Sequence, residues 1–234
     1  MTENKSNHSS SETVEVLLPS KEHPAYIFHH FIKCGGTSVT RILHTWFNVV
    51  NDHFVSFDQL EDYKKNRIDV SRIRANDCIA GHYAYDGTYL HQRYPEIITQ
   101  RDRLKAFTFL RDPLEFFVSF YYYSREHGRM DKSLEEFIDE NKNLYAYYFP
   151  CEESDYKEVL DRYFFIGILE KLQESMDKLA IILKKPRIDI KLLNKTQRDD
   201  QVSILTPEFV SKFKKDNELD YAIYNYALSS FNAI

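Results

Sequence analysis

Apolar residues fall along this chain in two rhythms, short unbroken runs and helical repeats, and the two alternate. Residues 26–32 form a β-rich apolar run, and beyond it Val39, Ile42, Leu43, Trp46 and Phe47 recur at helical spacing. Residues 48–76 mix aromatics with Lys64, Lys65, Arg67, Arg72 and Arg74, and read as a loop and a short helix. A buried strand is predicted over 77–83, leaving its sheet at Gly81-His82, and the next over 105–110. Strong helix signals follow: Asp112 suits the N-cap, Pro113 the first helical position, and Glu115 closes a capping-box-like pattern. That helix runs on through Phe116, Phe117, Phe120 and the tyrosines 121–123. Over 124–160 charges and aromatics alternate without clear period, which predicts a helical excursion over the sheet. A strand at 163–168 and an amphipathic helix at 170–183, with Leu172, Met176, Leu179, Ala180 and Leu183 on one face, come next. A helix over 217–230 closes the chain. Strands alternating with helices predict an α/β protein.

Length and composition narrow this. The 234 residues suffice for one sizeable domain, placed here at 21–234 behind a loosely attached polar tail over 1–20. Hydrophobic residues make up 43%, and 17 Tyr and 17 Phe supply the bulk of a packed core. A net charge of -5 gives no global basic field to recruit nucleic acid, leaving only a local basic groove. Cys34, Cys78 and Cys151 have neither paired spacing nor an even count, which speaks for a reducing compartment and against a zinc site. With no apolar run of membrane-spanning length and no signal-peptide pattern at the N-terminus, the expectation is a soluble, cytoplasmic protein.

The candidate chemistry sits at the first strand-to-helix junction, Lys33-Cys34-Gly35-Gly36-Thr37-Ser38. Glycines let backbone approach a ligand, the first amides of the helix point at it, and the helix dipole favours negative charge. Lys33 adds a mobile cation. An ordinary bend would also use glycines here, but this combination suits a phosphate or sulfate ester. The lysine precedes the glycines, so the G-x-x-x-x-G-K-[ST] nucleotide loop is not met. His82 follows a predicted strand, where parallel α/β sheets carry their ligands. The other histidines, including the His29-His30 pair, read as structural or surface residues.

The run HFIKCGGTS resembles the 5′-phosphosulfate loop of the carbohydrate sulfotransferases, usually HIPKTGGTS, and departs from it at Ile32 and Cys34. A second run, LRDPLEFFVSFYYYSRE, resembles that family's 3′-phosphate segment, LRDPxERxxSxYYY, with Phe116 standing where arginine is frequent. Gly81-His82 matches the catalytic-base motif of the 2-O type, and YFFIGILEKLQESMDKLAIIL looks like the family's late strand–helix pair.

The resemblance spans roughly residues 25–228 and implies a P-loop-like sandwich, a central parallel sheet between helices. It implies 3′-phosphoadenosine 5′-phosphosulfate (PAPS) as sulfuryl donor, the bisphosphate PAP as product, and no metal. Lys33, Cys34, Gly35, Gly36, Thr37 and Ser38 would hold the 5′ end, Arg111 and Ser119 the 3′-phosphate, and Lys195 and Thr196 would close over the nucleotide. His82 would be the base, with Lys33 assisting the leaving group. The acceptor would be a hydroxyl of a saccharide or glycolipid head group. Two other readings stay open: a magnesium-dependent nucleotide phosphotransferase, for which Asp112 could imitate a metal-holding aspartate, and an inactive nucleotide-binding module.

Overall fold

The parallel sheet forms from five strands whose order differs from their order in sequence. In the computed structural model, which describes residues 17–53, 56–84, 87–190 and 205–234, the chain starts with β1 (Ala25–His29), α1 (Gly36–Trp46), β2 (Asn48–Asp52) and α2 (Leu60–Lys65). β3 (Asp77–Gly81), α3 (Leu90–Arg93), α4 (Glu96–Thr99), β4 (Leu104–Leu110) and α5 (Pro113–Glu126) follow. The excursion holds α6 (Leu134–Glu140), α7 (Leu144–Tyr148) and α8 (Tyr156–Leu160), before β5 (Tyr163–Ile168), α9 (Leu172–Leu183), α10 (Pro207–Asp216) and α11 (Glu218–Ala233). The strands lie in the order β2-β3-β1-β4-β5 and every pairing is parallel. All five carboxyl ends therefore open on one edge, and β1 sits in the middle between β3 and β4.

Side chains alternate across a strand. Tyr26 and Phe28 enter the larger core with Val39 and Leu43 of α1 and Phe116 of α5, while Ala25 and Ile27 pack on the other face with Leu90, Tyr94 and Ile97. Cys78 and Ala80 against Ile79, and Phe107 and Phe109 against Ala106, repeat the division. With both faces covered, the inner strands read as near-continuous apolar runs, the pattern the sequence displays.

The sequence pattern and the structure part in three places. The first strand ends at His29 rather than Ile32, because the Phe31 amide turns back to the His29 carbonyl at 2.8 Å. Within 48–76, read as loop and short helix, Asn48–Asp52 is a fifth strand; an edge position with half-exposed valines leaves no apolar run to detect. Periodicity assigns α3, α4 and α10 to no element, although Thr206 caps α10 through the Phe209 amide at 3.2 Å and Pro207 opens it. At the start of the described chain, the Leu17 and Pro19 carbonyls accept from the Ala75 amide and Arg103 Nε. No helix among the described residues is long and apolar enough to cross a membrane.

The excursion is tied down from α11. Asn143 precedes α7 in a left-handed conformation and gives that helix no side-chain cap. Buried Asp220 of α11 supplies one instead, Oδ1 accepting from the Ala146 amide at 3.1 Å. The Asn143 and Asn217 side chains complete the lock, through the Asp220 amide at 3.2 Å and the Asn143 amide at 2.8 Å. Burial, opposed by the Tyr145, Ala146 and Leu144 amides, pushes the Asp220 carboxyl up to about 7, and its Oδ2 has no hydrogen-bond partner among the described residues. A raised acid pKa means the folded state holds the proton more tightly. Its contribution is full below the ordinary value near 4 and is lost as pH rises toward 7. Asp220→Asn is expected to remove this slope, worth on the order of 3–4 kcal/mol between those limits. Denaturant unfolding of both proteins at pH 4.5, 6 and 7.5 checks it; a difference in stability independent of pH would refute the assignment.

Candidate active site

The chain leaves β1 into a tight turn in which Lys33 (φ 57°) and Gly35 (φ 82°) adopt left-handed backbone before α1 begins at Gly36. No side chain caps α1. The Ser38 and Val39 amides return to the Gly35 carbonyl at 3.0 and 3.1 Å, whereas those of Gly35, Gly36 and Thr37 have no partner among the described residues. Three unspent amides in a cradle at the positive end of an 11-residue helix are the arrangement that suits an anion. Gly35 is required by its left-handed φ, and Gly36 by close approach, since a Cβ there would lie 1.8 Å from the His30 ring.

Register places the histidines. β1 pairs His29 with Gly81, so the next residues, His30 and His82, leave adjacent strands side by side. Their rings lie with centroids 4.0 Å apart and planes tilted by 35°. Burial holds His82 at about 4 and His30 at about 3, and the charge of His53 depresses both further; a hydrogen bond to His30 backbone partly offsets this at His82. Both imidazoles are neutral at pH 7, and a neutral imidazole can accept a proton. His29 is structural, buried and hydrogen-bonded through Nδ1 to Tyr163 at 2.9 Å. His30, read from sequence as structural or surface, instead lies between the cradle and His82. No periodicity reveals that neighbour, because it depends on which strands pair.

The end of β3 is braced from β2. Asp52, opposite Gly81 in the register, accepts two bonds from buried Arg93 at 2.8 Å each and a third from Tyr94 at 2.8 Å. Arg93 also lies 3.8 Å from the Tyr63 ring centroid. A pair so enclosed fixes geometry more than it adds stability.

From the other flank β4 delivers Arg111 and α5. Asp112 caps α5 through the Glu115 amide at 3.1 Å, and Pro113 opens it as expected. Arg111 Nη2 pairs with Glu115 Oε2 at 2.9 Å, with the guanidinium only 17% exposed. Ser119, two turns along, is buried. Lys33 Nζ rests 4.5 Å from the Tyr123 ring centroid on the same helix. Burial, then the charge of Arg111, lowers the Lys33 pKa, while Glu126 and Cys34 oppose the shift. Two cations thus repel each other in a half-buried place, and an anion between them would relieve both.

A sulfotransferase from Alicyclobacillus acidocaldarius superposes with a TM-score of 0.51 at 17% identity, covering 89% of this chain and 98% of that one. Mouse sulfotransferase SULT7A1, complexed with PAP, gives 0.51 at 13% identity, covering 90% and 91%. The chain shares its fold with these two sulfotransferases. No protein-family model and no curated protein matches the chain.

Within the sulfotransferase fold, the carboxyl edge of the sheet brings together Lys33, the Gly35–Gly36 turn, Thr37, Ser38, His82 and Arg111, from three adjacent strands. Thr37 is exposed and Ser38 buried in the first turn of α1. Cys34 is fully buried with its Sγ 3.9 Å from the Tyr145 hydroxyl, and burial pushes the thiol far up. The Cys34 amide is spent on the Phe31 carbonyl at 3.4 Å, so neither its thiol nor its N–H is open to a ligand. Lys195 and Thr196 lie outside the described residues.

Proposed function

We propose that this protein transfers the sulfuryl group of PAPS to an acceptor hydroxyl. The observation that carries the reading is the convergence, from β1, β3 and β4 onto one sheet edge, of an open amide cradle, a neutral histidine and two mutually repelling cations. That set fits a ligand with anionic groups at two places. The mouse structure with this fold binds PAP, and both motif resemblances point to the same nucleotide.

In this reading the Gly35–Thr37 amides and Lys33 hold the 5′ end, and Arg111 and Ser119 the 3′-phosphate. His82 takes the proton of the acceptor hydroxyl as that oxygen bonds to sulfur. Lys33 and the amides meet the charge left on the bridging phosphate oxygen when its bond to sulfur breaks. Donors already aimed at developing charge contribute on the order of 10²–10³ each. No metal has a part in it. Tyr147, half exposed, stands beside Tyr89 and Tyr148, and Tyr148 packs on Phe31 at the turn. Such aromatic faces suit a saccharide or glycolipid head group as acceptor, and we place the enzyme in the cytoplasm.

Thermal unfolding tests the donor. PAP at a hundred times its dissociation constant adds about 2.7 kcal/mol, which raises the Tm of a chain this size by roughly 5–10 °C. ATP with Mg²⁺ is expected to give much less. A shift with ATP and Mg²⁺ alone would support a phosphotransferase instead, and a shift with neither would exclude both.

A further inference from the structure

We propose that Tyr145 is a positioning residue that sets the spacing between the two anion-binding segments; the inference rests on the reading of Arg111 as a 3′-phosphate ligand. Tyr145 belongs to the excursion and is completely buried on α7. Its hydroxyl accepts from the Arg111 amide at 3.1 Å and donates to the Arg111 carbonyl at 2.6 Å. One side chain thus satisfies both backbone groups of the residue just past the end of β4, where the sheet no longer pairs them. The same hydroxyl lies 3.9 Å from Cys34 Sγ in the turn after β1. The ring is wedged between that turn and α5, with centroids 5.2 Å from Phe31 and 5.1 Å from Phe116.

The supports behind it are rigid. Asp220 caps α7 from α11, so Tyr145 cannot shift without unseating that helix end. The next backbone group, the Asp112 amide, is held by Glu170 Oε1 at 2.8 Å, and Tyr224 in turn holds Glu170 at 3.1 Å. Arg111 therefore starts from a fixed Cα measured against the Cys34 turn. A nucleotide phosphorylated at both ends of its ribose demands such a fixed distance, and one carrying only the 5′ group does not.

The test compares PAP with AMP, which lacks the 3′-phosphate, by calorimetry on the full chain. Tyr145→Phe keeps the ring and removes only the hydroxyl. It is expected to reduce the ratio of PAP to AMP affinity roughly tenfold, about the value of one hydrogen bond to a charged site, by weakening PAP and sparing AMP. Tyr121→Phe, which removes a buried hydroxyl bonded to the Lys132 carbonyl, is the control expected to leave the ratio unchanged. Asn143→Gly keeps the left-handed turn while freeing the Asp220 amide, and should lower the ratio in the same direction by less. An unchanged ratio in folded Tyr145→Phe overturns the proposal, as does equal weakening of both ligands. Loss of folding in both Tyr145→Phe and Asn143→Gly also overturns it, by assigning the tyrosine to the core alone. Failure of the donor reading shows separately, as a wild-type protein that does not prefer PAP over AMP.

Discussion

His82→Asn is expected to lower turnover in sulfuryl transfer by about 10²–10⁴-fold, the usual worth of a positioned general base. Affinity for PAP should change little, because the proposed nucleotide ligands are the cradle and Arg111. The pH profile carries the sharper test. Burial depresses the His82 imidazole to about 4, so the neutral, proton-accepting form persists above that value and is lost as pH falls through it. The rate should therefore show no inflection near 6.5, where an exposed histidine titrates. Stability runs in the same direction: His82 and His30 are both held neutral by burial, so acid from about 6.5 down toward their folded values drives unfolding. Rates are for that reason compared between pH 5.5 and 8, with folding monitored alongside. A step near 6.5 in that window would place the base on an exposed group. Full turnover by His82→Asn would move the role elsewhere, and His30, whose ring centroid lies 4.0 Å away, is then the first residue to replace.

Arg111→Ala is expected to weaken PAP by about 10–150-fold, the equivalent of roughly 1.5–3 kcal/mol for hydrogen bonds to a charged group. AMP should bind almost as before. The substitution also leaves Glu115 without its 2.9 Å partner and frees Lys33 from a neighbouring positive charge, so the Lys33 pKa should rise. Arg111→Lys restores the charge without the planar two-pronged donor and should recover only part of the affinity. Calorimetric titration of the variants with both nucleotides settles the matter. Equal loss of PAP and AMP would mean that Arg111 serves the fold, and no loss would mean that the 3′-phosphate binds elsewhere.

Much of this was legible along the chain. The cradle could be read because its chemistry is local: strand, lysine, paired glycines and helix start occupy one short stretch, and the backbone that presents the amides is the backbone those residues dictate. The Asp112 cap and Pro113 start of α5 were legible for the same reason. Cys34 shows the limit even there, since adjacency in sequence fixed its backbone in the turn and the packing of α7 decided that its thiol faces the core.

What depended on distant pairing was hidden. β2 carries too short an apolar signal to announce itself at a sheet edge. The meeting of His30 with His82 needed the β1–β3 register, and the grip of Tyr145 on Arg111 needed an excursion folded back across 34 residues. The sequence by itself determined the α/β alternation, the glycine turn before α1 and the capped helix, because hydrophobic period and backbone preference act within a few residues. Only the tertiary structure decided which histidines face each other, which cations share a field and which tyrosine joins the two segments, because burial and charge act through space.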